Sequence, residues 1–306
     1  MELITDIFSP HKLRKPVLTI GTFDGVHKGH RAILRELISQ AEARRGDSVV
    51  VTFDPHPRIA LGQKVFLLNT RDEKRAVFEA SGVSHLVEIP FNLEFSKITP
   101  EGFIKLLATN LRPELIVIGY DHGFGHNRSG GLDQLYKQGS AYGFNVMQVD
   151  ELVEGGKKIS SSVVRWLLQE GDVEQAAALL GGFYQITGHV VRGNQIGKLI
   201  GYPTANLYVE DPNKLIPAMG VYASFIHFGG KRYEGMTNIG MRPTINAHKL
   251  TIETNIFDFD QDIYYETITV QLVKRIRNEK KFGNLDILKT QLKSDGENAR
   301  KFLQNN

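Results

Sequence analysis

Between residues 16 and 149, short β-branched runs recur with helical patterns between them, and after Leu180 that rhythm stops. The runs are PVLTI (16–20), SVVVTF (48–53), HLVEIP (85–90), ELIVIG (114–119) and FNVMQV (144–149). Near-continuous apolar strands alternating with helices predict a parallel sheet covered on both faces. Ile33, Leu34, Leu37, Ile38 and Ala41 give one helix, over about 31–45, an apolar stripe, and Pro100 opens another that runs to about Asn110. Ser160, Ser161 and Ser162 mark a further helix start, and Asp172 caps a helix that Gly181 and Gly182 end. From Phe183 the segments QITGHVV, VYASFIHF, KRYEGMTNI, LTIETNIFDF and ETITVQLVKRI predict a small antiparallel barrel or sandwich. A last helix is expected over 284–304, with Leu285, Leu288 and Leu292 on one side. The chain of 306 residues is long enough for two cores. The expected class is therefore α/β over 1–182 followed by all-β with a terminal helix over 183–306.

Open parallel sheets bind ligands beyond the carboxyl ends of their strands. GTFDGVHKGH (21–30) follows the first run, DPHP (54–57) the second and GYDHGFGHNRSGG (119–131) the fourth. A glycine-punctuated turn entering a helix offers backbone N–H groups to a phosphate. His27 and His30, three apart at that entry, can share a face and donate to phosphoryl oxygens as charge builds on them. A zinc site is the rival reading of the histidine pair, with no third ligand evident. Asp54 and His56 read equally well as turn residues set by Pro55 and Pro57. GNQIGKL (193–199) is not a P-loop: its spacing is one residue short, and Leu199 stands where a hydroxyl is required.

A net charge of +3 argues for neither nucleic acid nor an anionic membrane as a partner. With no cysteine, disulfides, thiolate metal sites and a cysteine nucleophile are excluded, which fits a reducing compartment. MELITDIFSP lacks the apolar run of a secretory signal, and no stretch is apolar enough to span a membrane. The cytoplasm is the expected compartment, and oligomeric state is left open.

GTFDGVHKGH resembles the histidine-glycine-histidine signature of the nucleotidyltransferase superfamily. Its form is that of the FAD synthetase half of bacterial bifunctional riboflavin kinase/FAD synthetases. ISSSVVRWLLQEGDV (159–173) is similar to that family's second signature, and TFDPHP and GYDHGFG match in place. The resemblance implies a Rossmann-like nucleotidyltransferase domain in which FMN attacks the α-phosphate of ATP, pyrophosphate leaves and FAD forms. It implies that His27 and His30 stabilise the transition state while Arg165, Ser161 and Ser162 hold the departing phosphates. Gly21, Phe23, Asp24 and Gly25 would line the nucleotide site, and Asp121 the flavin site.

GHVVRGNQIGKLIGYPTANL (188–207), NIGMRPT (238–244) and TIETNIFDF (251–259) resemble the riboflavin kinase signatures of the same family. The resemblance implies phosphorylation of riboflavin to FMN by ATP. Thr204 and Asn206 carry hard oxygen ligands suited to Mg²⁺. Gly193 and Lys198 would approach the ATP phosphates, Glu253 would be the general base, and Arg275 and Phe282 of RIRNEKKF would close on the flavin. The chain departs from the family pattern at five places, two of them mild: Ile200 for leucine and Tyr202 for phenylalanine. His122 replaces an aromatic residue; Lys198 replaces an arginine, which keeps the charge but loses the bidentate fork. Tyr265 replaces a glycine, and if that glycine serves a positive-φ turn, tyrosine there costs strain or marks a changed loop. Two narrower readings follow, an FAD synthetase with a decayed kinase domain and a non-catalytic flavin-binding regulator. The retained His27, His30, Thr204, Asn206 and Glu253 count against the second, since a binder needs no general base.

Overall fold

The computed structural model describes residues 1–120, 131–154, 157–193, 196–243 and 248–304. Compactness divides the chain into Met1–Ser161 and Ser162–Asn306.

The first unit holds β1 (Glu2–Ile4), β2 (Val17–Ile20), α1 (Lys28–Ala43), β3 (Ser48–Asp54), α2 (Pro57–Ala60), α3 (Arg71–Ala80) and β4 (His85–Pro90). It continues through α4 (Pro100–Asn110), β5 (Leu115–Gly119), α5 (Leu132–Tyr142), β6 (Asn145–Val149), β7 (Val153–Glu154) and β8 (Lys157–Lys158). Six strands form a parallel sheet in the order β1-β4-β3-β2-β5-β6. Alternate residues of the central strands feed opposite layers. Leu18, Ile20, Val49, Val51, Ile116 and Ile118 pack with Ile104 and Leu107 of α4. Val17, Val50 and Val117 pack with Leu34, Leu37 and Ala41 of α1 and with Phe78 of α3. The chain moves outward from β2 through β3 to β4, then returns to the other side of β2 as β5. That reversal opens a crevice at the carboxyl end of β2, where the turn into α1 begins.

The second unit holds α6 (Ser161–Glu170, its first residue shared with the first unit), α7 (Val173–Leu180), β9 (Tyr184–Val191), α8 (Ile196–Leu199) and β10 (Ala205–Tyr208). β11 (Gly220–Phe228), β12 (Lys231–Pro243), β13 (His248–Ile256), β14 (Thr267–Arg277) and α9 (Leu285–Leu303) follow. The antiparallel strands close into a barrel in the order β10-β13-β12-β11-β14-β9. Tyr184, Ile186, Tyr222, Ile226, Ile239, Ile268 and Val270 are buried in it. Ala299 and Leu303 of α9 cover Val221, Ala223, Phe225, Met236 and Val273 on another layer. α6 and α7 group with this unit: Ala218 donates its N–H to the Leu168 carbonyl at 3.0 Å. Asp172 Oδ1 caps α7 by accepting from Gln175 N at 3.0 Å, and Gly181 ends it at φ 75°.

Tyr265 has φ 68° in the turn before β14, and its side chain is 72% exposed. Its N–H reaches the Val190 carbonyl at 2.8 Å, so the tyrosine occupies the left-handed turn rather than rerouting the chain. A left-handed L-residue costs roughly 1–2 kcal/mol, of which glycine's extra unfolded-state freedom returns about half. Tyr265→Gly is therefore expected to stabilise the second unit by ~0.5–1 kcal/mol. Urea unfolding followed by fluorescence of Trp166, the single tryptophan, reads this; a lower midpoint would contradict the strain.

Candidate active sites

The turn from β2 to α1 is unusually contorted: Phe23, Gly25 and Val26 have φ of 49°, 87° and 39°. Strain at non-glycine residues persists only where surroundings enforce it. Here Phe23 is locked edge-on to Phe78, with ring centroids 5.6 Å apart, and a Cβ on Gly25 would lie 2.5 Å from Leu68 Cδ1. His27 is the N-cap of α1, its Nδ1 accepting the His30 N–H at 3.3 Å. A neutral His27 therefore carries its proton on Nε2. The two imidazoles stack with centroids 3.7 Å apart and 14° between planes. His30 Nδ1 is buried and without a hydrogen-bond partner. Burial first, then the neighbouring His27 and Lys74 charges, push the His30 imidazole well below its ordinary range. Burial thus favours the neutral form of His30, and the cap fixes His27 Nδ1 as an acceptor. Among the described residues no group of three or more His, Asp or Glu gathers to hold a metal.

Asp24 is buried, and its carboxylate is directed at the chain: Oδ1 accepts from Leu68 N at 2.7 Å and Asn69 N at 3.4 Å. Ser161 Oγ, at the end of the first unit, donates to the Asp24 carbonyl at 2.8 Å. Asp54 lies 3.2 Å from Arg71, and His56 caps α2 through Arg58 N at 3.2 Å.

Sequence reasoning missed what α3 brings to this edge. Glu88 of β4 is 2% exposed and accepts from Arg71 and Arg75. Burial alone would raise its carboxyl; the two guanidinium groups outweigh that and hold it below the ordinary value. Lys74 Nζ donates to Thr52 Oγ1 at 3.2 Å and to the Thr22 carbonyl at 3.4 Å. A second missed feature is a small open cavity lined by Phe53, Phe91, Phe95, Ile98 and Phe103, at the carboxyl ends of β3 and β4. Only the clustering of phenylalanines in FNLEFSKITPEGF could have signalled it.

In the second unit an open cavity is lined by apolar Val221, Met236, Leu288 and Leu292 and by charged Arg242, Glu253, Arg277 and Glu279. β10 pairs with β13 so that Asn206 faces Glu253 in register, and Asn255 Nδ2 donates to the Pro203 carbonyl at 2.7 Å. The PTAN segment is thereby laid against the strand that carries Glu253. Glu253 Oε2 accepts from Arg242 Nη2 at 2.5 Å and Oε1 from Thr251 Oγ1 at 3.1 Å, so its orientation is set from both sides. Gly193 fits against Asn206: an added Cβ would sit 2.3 Å from its Nδ2 and 2.7 Å from its Oδ1. Thr204 and Phe282 line the cavity, and the Arg277 guanidinium lies 5.5 Å from the Phe282 ring centroid. Arg277 also grips buried Asp295 of α9, with Nη2 to Oδ2 at 2.7 Å.

Of the predicted residues, Gly21, Phe23, Asp24, Gly25, His27 and His30 meet in the turn of the first unit, with Ser161 bonded to it. Ser162 and Arg165 lie on α6 in the second unit. Thr204, Asn206, Glu253 and Phe282 gather around the second cavity or the strand pair beside it. Arg275 is not among the residues lining that cavity; its guanidinium donates to the carbonyls of Glu170 and Met219, closing the end of α6. Asp121, His122, Thr244 and the side chain of Lys198 lie outside the described residues.

Comparison with known proteins finds both halves. Residues 9–163 match the family model for FAD synthetase and residues 180–303 that for riboflavin kinase. A bifunctional riboflavin kinase/FMN adenylyltransferase from Escherichia coli (strain K12) is 38% identical over 290 residues, covering 94% of this chain and 92% of that protein. Its counterpart from Bacillus subtilis (strain 168) is 35% identical over 312 residues, covering 98% of each. A crystal structure described as a macrolide-efflux protein from Streptococcus pneumoniae superposes with a TM-score of 0.87 at 33% identity, covering 97% of this chain and 98% of that one. No helix among the described residues is long and apolar enough to cross a membrane.

Proposed function

The chain belongs to the bifunctional riboflavin kinase/FMN adenylyltransferase family, and from that premise we propose how its residues divide the two reactions. The protein phosphorylates riboflavin with ATP, giving FMN and ADP, and transfers the adenylyl group of a second ATP to FMN, giving FAD and pyrophosphate. The observation that carries the division is the Glu253–Arg242–Thr251 constellation beside the PTAN strand, in a different unit from the stacked His27–His30 pair. We place the functional boundary at 182, after α7.

In the kinase unit Glu253 takes the proton of the ribityl 5′-hydroxyl as that oxygen attacks the γ-phosphorus and the bond to ADP breaks. Each carboxylate oxygen has a second lone pair beyond its bond to Arg242 or Thr251, so base and fixed orientation are compatible. The apolar wall of Val221, Met236, Leu288 and Leu292 suits the flavin ring, with Phe282 at its edge. The donor set of Thr204 hydroxyl and Asn206 amide oxygen, with glycine backbone close by, fits Mg²⁺ on ATP phosphates. The ion would neutralise phosphate charge there; the protein's own part is to orient Thr204 and Asn206 through the β10–β13 register. Gly193 and Lys198 border the same phosphates.

In the other unit FMN's phosphate oxygen attacks the α-phosphorus of ATP in line, and the bond to pyrophosphate breaks. No covalent nucleophile is needed, so positioning and charge stabilisation suffice. His27 Nε2–H and the His30 ring donate to the α-phosphate oxygens at the start of α1, where the helix dipole also favours negative charge. Gly21, Phe23 and Gly25 shape the turn through their backbone, and Asp24 acts by fastening it to residues 68–69. Ser161, Ser162 and Arg165 hold the departing phosphates. The phenylalanine-lined cavity is a slot for the flavin ring, and the family pattern assigns Asp121 to the flavin as well. We assign Arg275 to closing α6 rather than to flavin. The compartment is the cytoplasm, where ATP is available.

Incubation with riboflavin, ATP and Mg²⁺, with flavins separated by chromatography, is expected to yield FMN first and then FAD, and chelation of the metal to stop both. Conversion of supplied FMN but not of riboflavin would refute the kinase half.

A further inference from the structure

Lys74 is a half-buried lysine to which neither reaction yet gives a part. It lies on α3, whose start is fixed by a reciprocal cap between Thr70 and Glu73. Asp24 binds the N–H groups just before that helix, and Lys74 binds the Thr22 carbonyl from its first turn. The phosphate-binding turn is thus held to α3 at two successive points, one on each side of strained Phe23. Thr52 of β3 completes the seat, its Oγ1 accepting from Lys74 and also lying 3.4 Å from the Thr22 carbonyl. Hydrogen bonds alone would allow a neutral side chain here; a lysine adds a cation beside two imidazoles.

We propose that Lys74 is a positioning residue of the adenylyl-transfer site. Its ammonium holds the Thr22 carbonyl and supplies the fixed positive charge behind the His27–His30 pair. The inference rests on assigning adenylyl transfer to that turn. Buried His30, held neutral, brings a donor but no charge of its own, while negative charge grows on the α-phosphate. A cation in a poorly hydrated seat acts on that charge with little screening. Burial lowers the Lys74 amine below its ordinary value; Glu88, Asp24 and Asp54 oppose this and Arg71 adds to it. In turn the Lys74 charge, with burial and His27, depresses the His30 imidazole. The two groups are therefore coupled through the site.

The test compares Lys74→Gln and Lys74→Arg in the full-length chain. Glutamine can still donate to Thr22 and Thr52 but carries no charge; arginine keeps the charge. Amide hydrogen exchange in β2, α1 and α3 reports folding of the first unit, which holds Lys74, and riboflavin phosphorylation reports that of the barrel. For FMN adenylylation, Lys74→Gln is expected to lower kcat by about 100-fold, the scale of one removed electrostatic stabiliser, with a much smaller change in KM for ATP. It should also move the acid limb of the kcat/KM profile up by ~0.5–1 pH unit, because a cation that depressed His30 is gone. Lys74→Arg should keep the limb of the parent. A Lys74→Gln protein with parental kcat, or with reduced kcat and an unmoved acid limb, overturns the proposal. If Lys74→Gln loses the protection of the first unit, Lys74→Arg decides alone: loss of adenylylation despite intact protection of that unit refutes a role for the charge. Failure of the underlying site assignment is separate, because then His30→Ala would leave FAD formation intact.

Discussion

Glu253→Gln is expected to lower FMN formation from riboflavin by about 10²–10⁴-fold, the usual worth of a positioned general base, while FAD formation from supplied FMN stays at its parental rate. Glutamine matches the carboxylate in shape and can accept from either Thr251 or Arg242, but it cannot take a proton. Arg242 would lose its ion-pair partner in a site where the Glu253 side chain is only 11% exposed. Some loss of stability, ~1–3 kcal/mol, should therefore accompany the loss of rate. Glu253→Asp separates the two effects. It keeps the charge for Arg242 but withdraws the oxygens by one methylene, so stability should recover while kcat stays depressed. Phosphorylation within about threefold of the parent in Glu253→Gln would remove Glu253 as the base. A parallel loss of FAD formation from FMN in folded protein would remove the division into two sites.

The same geometry bears on the decayed-kinase reading. Tyr265 does adopt the positive-φ conformation that the glycine pattern suggested, yet it sits on an exposed turn and is not among the residues lining the kinase cavity. Its cost falls on stability. The base, its two partners and the PTAN strand are assembled regardless, so neither the decayed-kinase nor the regulator reading is favoured.

The parallel sheet is legible in the sequence because its central strands are buried on both faces and so read as unbroken apolar runs. The barrel is legible through alternation in its longer strands. β10 is not: four residues behind a proline give too little alternation, and PTAN read as a bare string is a turn. Its pairing with β13, a long-range contact, makes it a strand. α3 escapes for the opposite reason. Its charged residues outnumber its apolar ones, Val77 and Phe78 carry its packing, and its clearest local signal is the Thr70–Glu73 cap. With α3 unread, Lys74 and Arg71 read as solvated charges, the ordinary state of such residues. Similarly, the motif identifies Glu253, but Arg242 and Thr251 become its partners only through the β12–β13 register and the two-residue spacing along β13. Asp24 shows the limit of motif reading from the other side. The residue stands where the pattern expects it, but its carboxylate serves the backbone at 68–69.

His30→Asn should abolish FAD formation and leave riboflavin phosphorylation unchanged, and it should also alter how the first unit responds to acid. The loss of rate follows from the stacked pair: removing one imidazole deletes a donor and the ring that packs on His27 and on Phe23, 5.1 Å away. A drop of at least 10²–10³-fold is expected, as for removal of one oxyanion donor. The acid effect comes from linkage. In the unfolded chain a histidine titrates near 6.5, whereas burial, His27 and Lys74 hold folded His30 well below that. Between those two values the unfolded state binds more protons, so stability rises with pH. The contribution is fully present above about 6.5 and is lost as pH falls toward the folded value, by at most ~1.4 kcal/mol per pH unit. Asparagine does not titrate, so its substitution should flatten this part of the pH dependence. Amide hydrogen exchange in β2 and α1, compared at pH 7 and pH 5, reads the first unit without interference from the barrel. An equally steep loss of protection in His30→Asn and the parent would show that some other group carries the acid sensitivity. Retained FAD formation in the same variant would move the adenylyl-transfer site away from this turn.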